Sequence, residues 1–279
     1  MDPVAFKIGS LTIHWYGILI ATGFVAGMWT AGLRGKKEDL DPEKISSLFF
    51  WILLAGIVGA KLLHVIGYWK PSEQSLAAAL FSRSGLVFQG ALVASTITAG
   101  VFMWKNRMPA WKTLDVLAPS ISLGYAFGRM GCFFSGCCHG KVCDVASYES
   151  LSGGLFSTGE IVSTSGAPFV ALKFYEGGLG LIHNLPIYPT QLYEAVCAFA
   201  LYGALAWWFK NKRFDGQVFL AYLFFASVIR FVIENFRGDR ITRFMDDAVT
   251  QGQVISLVII AGVGIYGCFI KAGRRPESA

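Results

Sequence analysis

The sequence predicts an all-α integral membrane protein with seven transmembrane helices, and three observations support this fold class. Of the 279 residues, 54% are apolar and only 15% are charged, whereas about 25% of the residues of a soluble globular domain are charged. The mean hydropathy is +0.52. Seven apolar stretches are each close to the ~20 residues that cross a hydrocarbon core.

These stretches cover residues 11–33, 45–66, 85–104, 113–131, 189–209, 216–236 and 252–270. The fourth is the least regular, because Asp115, Pro119 and Arg129 interrupt it. The first lacks the basic segment and the small-residue cleavage site of a signal peptide, so we interpret it as an anchor. No internal repeat is visible, and we expect residues 1–279 to form a single membrane domain with an insertion at residues 132–188.

The placement of basic residues predicts the orientation of the chain. Thirteen of the 24 lysines and arginines follow the odd-numbered stretches: Arg34, Lys36, Lys37, Lys44, Lys105, Arg107, Lys112, Lys210, Lys212, Arg213, Lys271, Arg274 and Arg275. Basic loops remain cytoplasmic, so the N-terminus and the insertion at 132–188 should face outward and the C-terminus inward. This pattern accounts for the net charge of +6 without a nucleic-acid partner. An insertion of this length is commonly a functional lid or head, or else mobile.

Two arginines lie within apolar stretches, where charge is costly. Arg129 and Arg230 each require an anion or a buried carboxylate at that depth, and the guanidinium fork suits phosphate oxygens. Glu234 follows Arg230 by four residues and so shares its helix face, with Arg237 about one turn further. This series of charges is either an ion pair that fixes helix packing or a path for a lipid headgroup.

Cysteines follow Arg129 closely, at positions 132, 137, 138 and 143. Their spacing lacks the two separated pairs of a zinc ribbon, so we predict no metal site. A disulfide that includes Cys143 is the favoured interpretation for an outward loop, although the redox state of the four thiols stays open. Cys197 and Cys268 lie in apolar stretches and are expected to be small core residues.

Other polar residues also enter the apolar stretches. Glu194 needs a cationic partner, for which Arg129, Arg230 and Lys61 are the candidates. Gln89 is a polar side chain near the start of the third stretch, and Tyr16 suits an interfacial aromatic belt.

Six motifs in order resemble the bacterial prolipoprotein diacylglyceryl transferases over nearly the whole chain. They are HWYG at 14–17, GLVFQG at 85–90, GRMGCFFSGCCHG at 128–140, YPTQLYE at 188–194, RFVIENFR at 230–237 and GQVISL at 252–257. The resemblance implies seven spans in the bacterial inner membrane with a periplasmic active site. It also implies transfer of diacylglyceryl from phosphatidylglycerol to the lipobox cysteine of a preprolipoprotein, with release of glycerol 1-phosphate.

The resemblance assigns expected roles to individual residues. Arg129 and Arg230 match the essential arginines of the family, Glu234 its carboxylate, Tyr16 its tyrosine and Gly140 its terminal glycine. Seven residues of the shared motifs are candidate substrate-binding positions: Tyr16, Gln89, Gly140, Gln191, Tyr193, Glu194 and Arg237. No metal or organic cofactor is implied, and the expected partners are phosphatidylglycerol, lipobox signal peptides and membrane lipids.

The chain also departs from the family pattern. Gln89 replaces a histidine, Cys132 and Ser135 replace asparagines, and Cys137 replaces a glutamate. Ala226 stands in place of a tyrosine and Tyr188 in place of a histidine. Gln89 cannot take up a proton, so a catalytic base must be found elsewhere, with His139 and Glu234 as candidates, or the thiol is activated by positive charge alone. The alternatives are a related lipid-headgroup transferase with another acceptor, and a non-enzymatic lipid transporter.

Overall fold

The computed structural model describes residues 3–9, 11–68, 80, 87–141, 148–156, 159–164, 171–174, 186–237, 243–244 and 249–272. Within these residues the protein is mostly helical. The seven long helices are α1 (Trp15–Lys37), α2 (Pro42–Tyr68), α3 (Phe88–Lys105), α4 (Ala110–Ser135), α5 (Thr190–Phe209), α6 (Gln217–Glu234) and α7 (Gln251–Ala272). The chain divides into two compact units. The first unit contains residues 1–27 and 118–279, and the second unit contains residues 28–117.

Within the described part of the chain, four helices are long and apolar enough to cross a membrane: α1, α2, α5 and α6. This finding confirms the predicted class of multi-pass helical membrane protein. The number of seven spans and the orientation stay predictions. Large apolar side chains on these helices are exposed, as expected for surfaces that contact lipid; examples are Trp29, Ile57, Val196 and Val232.

Short strands, which the apolar stretches did not predict, accompany the helices. The strands β1 (Val4–Ile8) and β2 (Leu11–His14) form an antiparallel hairpin. β3 (Tyr148–Phe156), β4 (Gly159–Thr164), β5 (Ala171–Phe174) and β6 (Pro186–Ile187) form an antiparallel sheet in sequence order, within the predicted insertion. β7 (Arg243–Phe244) pairs with β8 (Val249–Thr250) just before α7.

The first helix therefore begins at Trp15, four residues later than the apolar stretch suggested. Residues 11–14 are rich in apolar atoms, but they alternate Leu-Thr-Ile-His, which is the period of a strand. Total hydropathy does not distinguish this alternation from the start of a helix.

The irregular fourth stretch forms an unbroken helix of 26 residues, with Pro119 inside it. Side chains bond to backbone carbonyls along this region. In the first unit, Ser120 Oγ donates to the Gly27 carbonyl at 2.7 Å and Ser122 Oγ to the Ala198 carbonyl at 2.8 Å. These two bonds fix α4 against the first half of α1 and against α5.

Glycines allow pairs of helices to approach closely within each unit. In the first unit, a Cβ at Gly23 would lie 2.7 Å from Phe127 Cβ on α4. In the second unit, a Cβ at Gly59 of α2 would lie 2.5 Å from the Gly90 carbonyl oxygen of α3. Small residues permit such backbone approach between membrane helices. Arg34 is also fixed within the second unit, where its Nε donates to the Val116 carbonyl at 3.2 Å.

Candidate active site

Glu194 is the centre of a charged cluster in the first unit. It lies one turn into α5, after the helix begins at Thr190, and is only 2% exposed. Its carboxylate pairs with Arg129 Nε. The same carboxylate lies 3.1 Å from Arg230 Nη1 and 3.5 Å from Arg237 Nη1. One buried carboxylate therefore holds the guanidiniums of three separate positions in the chain.

Glu234 forms the second anionic point of the cluster. Its Oε2 lies 2.9 Å from Arg230 Nη2 and 4.0 Å from Arg237 Nε. The predicted common helix face of Arg230 and Glu234 is therefore confirmed as a geometric contact. Among the described residues of the cluster, three guanidiniums and two carboxylates sum to one net positive charge, which suits an anion.

Tyr125 also belongs to the cluster, and sequence reasoning missed it. Its hydroxyl donates to Glu194 Oε2 and accepts from Arg129 Nε at 2.9 Å. The Arg129 guanidinium carbon lies 4.9 Å from the centre of the Tyr125 ring. The i, i+4 spacing from Arg129 is the signal that could have identified this tyrosine.

Gly140 joins three segments that carry site residues. Its N–H donates to the Tyr188 carbonyl at 2.8 Å, while the N–H of Lys141 donates to the Phe236 carbonyl at 2.9 Å. A Cβ at position 140 would lie 2.6 Å from the Phe236 carbonyl oxygen and 2.7 Å from that of Tyr188. Only glycine fits this crossing without displacing backbone, and the crossing fixes Arg237 beside Glu194.

The start of α7 packs against Glu234 of the cluster. Thr250 and Gln253 form a reciprocal capping box, with 3.1 Å from the Thr250 N–H to Gln253 Oε1 and 3.3 Å from the Gln253 N–H to Thr250 Oγ1. Gln253 Nε2 also donates to Asn235 Oδ1 at 3.1 Å. Gly252 allows this helix end to approach Glu234, because a Cβ there would lie 3.0 Å from Glu234 Cδ.

The C-terminal end of α4 brings three cysteines together. The sulfur atoms of Cys132, Cys137 and Cys138 all lie within 4.8 Å of one another. Hydrogen bonds with the Cys132 and Cys137 thiols lower the pKa of the Cys138 thiol, and the charges of Arg129 and Arg237 lower it further.

Comparison with known proteins assigns the chain to a family. A family profile described as prolipoprotein diacylglyceryl transferase matches residues 3–269. The chain belongs to the prolipoprotein diacylglyceryl transferase family. It is 30% identical over 267 residues to the phosphatidylglycerol–prolipoprotein diacylglyceryl transferase of Clostridium tetani, covering 95% of this chain and 97% of that protein. The enzymes of that name from Dehalococcoides mccartyi and Thermosynechococcus vestitus are 31% and 30% identical, over 100% and 94% of this chain and 96% and 90% of theirs.

In this diacylglyceryl transferase family member, five of the predicted site residues meet in the charged cluster: Arg129, Glu194, Arg230, Glu234 and Arg237. Two others hold the backbone around it. Gly140 occupies the crossing described above, and Gln191 Nε2 donates to the Cys137 carbonyl at 2.7 Å. Their catalytic and binding roles stay predictions.

Three other predicted residues of the first unit are Tyr16, Tyr193 and His139. Tyr16, 42% exposed, packs against α4, since a Cβ at Gly131 would lie 3.0 Å from its Cδ2. Tyr193 is half-buried on α5. His139 Nδ1 lies 3.0 Å from the Gly140 carbonyl, so Nδ1 carries the proton of that bond and Nε2 keeps its lone pair in the neutral ring. A base role for His139 stays a prediction.

Two further predictions concern Gln89 and Cys143. Gln89 lies in the first turn of α3 in the second unit and is exposed in this family member. The proposed disulfide of Cys143 involves a residue outside the described ranges. Among the described cysteines, Cys132, Cys137, Cys138 and Cys197 are free thiols.

Proposed function

We propose that this protein transfers the diacylglyceryl group of phosphatidylglycerol to the lipobox cysteine of preprolipoproteins. The cysteine sulfur attacks the carbon of the diacylglyceryl group that carries the phosphate, the carbon–oxygen bond breaks and a thioether forms. Glycerol 1-phosphate leaves with the bonding electron pair as the dianion, and the thiol proton is released to solvent. The names of the relatives and the family assignment support this reaction.

The observation that carries the proposal is the meeting of Arg129, Arg230 and Arg237 around Glu194. The transition state places growing negative charge on the departing phosphate, and fixed guanidiniums stabilise such charge without reorganisation. Glu194 holds the guanidiniums in place before the lipid arrives, while the remaining positive charge favours phosphate binding. We therefore assign phosphate binding to Arg129 and Arg230, with Arg237 as a supporting cation.

A neighbouring cavity suits the apolar part of a substrate. Its volume is about 590 Å³, and its wall is mostly apolar, formed by the β1–β2 hairpin, the start of α1 and the end of α4. Its lining residues are Pro3, Ile13, His14, Tyr16, Gly17, Ile18, Ala21 and Ser135. We assign this cavity to an acyl chain or to an apolar side chain of the signal peptide, next to Tyr16.

Charge placement supports an active site on the periplasmic side of the bacterial inner membrane. Glu194 lies near the start of α5, and Arg230 lies near the end of α6. The basic residues Lys210, Lys212 and Arg213 lie between the opposite ends of these two helices. A cytoplasmic position of this basic loop places the arginine cluster on the outward side of the membrane. The same orientation, with seven spans, places the N-terminus outside.

The test measures transfer of labelled diacylglyceryl from phosphatidylglycerol to a lipobox peptide by the purified protein. Arg129→Ala and Arg230→Ala are each expected to reduce transfer at least about a hundredfold, the loss typical of a deleted charge-stabilising donor. Arg213→Ala removes an exposed arginine outside the cluster and should retain activity. Full activity in either cluster variant would refute the assigned roles.

The acceptor is tested in the same assay. A matched peptide with serine at the lipobox position should accept no label, because the sulfur nucleophile is missing. A correctly inserted wild-type protein that forms no thioether product excludes the proposal. Label transferred to a different acceptor favours the related headgroup transferase instead.

A further inference from the structure

Three thiols at the C-terminal end of α4 remain without a role in the mechanism above. We propose that Cys132, Cys137 and Cys138 bind a soft metal ion of the Zn²⁺ and Cd²⁺ type, with a fourth coordination position open to an external thiol. This proposal departs from the expectation of no metal, which rested on the sequence spacing of zinc ribbons alone.

The distances between the sulfur atoms suit such an ion. A tetrahedral Zn²⁺ site has zinc–sulfur bonds of about 2.3 Å, which place neighbouring sulfurs about 3.8 Å apart. In the structure all three sulfurs lie within 4.8 Å of one another. Side-chain rotations that move the sulfur atoms by no more than about 1 Å would therefore bring them to the spacing of a three-sulfur site. Thiolates are the ligands that soft ions of this kind prefer.

A helix C-cap creates this arrangement. Gly136 has φ +68°, its N–H donates to the Phe133 carbonyl at 3.1 Å, and the N–H of Cys137 donates to the Cys132 carbonyl at 3.2 Å. This pair of bonds is a Schellman motif, which brings the second residue after the helix back against the third residue before its end. Here those two residues are Cys137 and Cys132, so their meeting is a consequence of the backbone.

The third thiol is positioned by an unusual backbone conformation. Cys138 has φ +60°, which is uncommon for a residue with a side chain and is retained only where the surroundings enforce it. α5 supplies that restraint, because Thr190 Oγ1 donates to the Cys138 carbonyl at 3.0 Å and Gln191 Nε2 to the Cys137 carbonyl at 2.7 Å. The loop that carries the thiols is therefore held before any ion binds.

The charges of the neighbouring residues match those of the complex. A divalent ion with three thiolates has a net charge of −1, and Arg129 lies about one helical turn before Cys132 on α4, where its positive charge offsets that of the complex. Zinc sites with three protein ligands characteristically keep the fourth position for water or substrate. An external thiol at that position would coordinate as the thiolate and release its proton to water. If the proposed function is correct, this position would present the acceptor cysteine as a thiolate beside the phosphate-binding arginines.

The experiment titrates the purified, reduced full-length protein with Cd²⁺ and follows the sulfur-to-cadmium charge-transfer absorption. The background variant carries Cys143→Ser, Cys197→Ser and Cys268→Ser, so that only the three clustered thiols remain. We expect it to bind one Cd²⁺ per chain with a thiolate band, and Cys138→Ser in that background to lose the band. Thermal melting shows whether each variant is folded, and Cys132→Ser provides a second test of the same site.

The absence of a thiolate band in the folded background variant would overturn the site. A disulfide between two of the three cysteines in protein taken from membranes would also overturn it. The open position is tested by adding a lipobox peptide: a fourth thiolate should intensify the band, and the serine peptide should not. An unchanged band would refute the open position. Neither measurement depends on transferase activity, so failure here is separable from failure of the proposed function.

Discussion

Arg230 Nη1 lies 3.1 Å from Glu194 Oε1 on another helix, in addition to its contact with Glu234 one turn along its own helix. Arg230 is therefore shared between two carboxylates, and the local pair alone does not satisfy it. The carboxylate of Glu194 in turn contacts Arg129 and Arg237. This sharing makes Glu194 the residue on which the arrangement of the three arginines depends.

Glu194→Gln should disrupt the cluster by removing the carboxylate charge that all three guanidiniums contact. Removal of one partner from a buried ion pair destabilises a protein by about 3–5 kcal/mol. We expect a lower melting temperature and a fall in diacylglyceryl transfer. The measurements are thermal unfolding in detergent and the transfer assay, with Asp215→Asn as the control, since Asp215 is exposed and pairs with Lys212 in a loop. Wild-type stability and activity in Glu194→Gln would contradict the central position of this carboxylate.

Tyr125→Phe should weaken the site while leaving the packing of α4 intact. The change deletes one donor to Glu194 and one acceptor for Arg129. Hydrogen bonds to charged groups contribute about 1.5–3 kcal/mol, so we expect transfer to fall about tenfold or more. Steady-state kinetics at several phosphatidylglycerol concentrations provides the measurement. Tyr202→Phe, on α5 in the same unit, is the comparison variant and should lose less activity. Equal losses in the two variants would contradict a specific role of the Tyr125 hydroxyl.

Gly140→Ala should destabilise the crossing of the three segments. The new methyl group would lie 2.6 Å and 2.7 Å from two backbone carbonyl oxygens, and overpacking of this kind costs about 1–3 kcal/mol. Loss of thermal stability and of transfer should occur together. Gly203→Ala on α5 is the matched control, because a Cβ there meets nothing within 4 Å and alanine favours the helix. Equal stability of the two variants would show that the crossing tolerates a side chain.

Gln89→Ala should reduce transfer less than Arg129→Ala or Arg230→Ala. The amide cannot act as a base, and a neutral group stabilises a departing phosphate less than a guanidinium does. Parallel transfer assays of the three variants, normalised to inserted protein, measure the difference. Complete loss of activity in Gln89→Ala would instead mean that this amide positions the substrate decisively.

Local sequence patterns predicted those parts of the site that lie within one helix. The pairing of Arg230 with Glu234 follows from i, i+4 spacing and is present at 2.9 Å. The need of Glu194 for a cationic partner also followed from its apolar surroundings, and both Arg129 and Arg230 proved to be its partners. Tyr125 was missed because a tyrosine in an apolar helix is typical of membrane proteins in general, and its contact with Glu194 spans two helices.

The sequence by itself determined the membrane class, the position of the two arginines within apolar stretches and the helix faces, because composition and helical period are local properties of the chain. Only the tertiary structure decided that one carboxylate serves three arginines, that Gly140 lies where three segments cross, and that three sulfurs meet after α4. These contacts join positions distant in sequence or depend on the backbone turn at Gly136. Helix packing and capping geometry set such distances, and no local period encodes them.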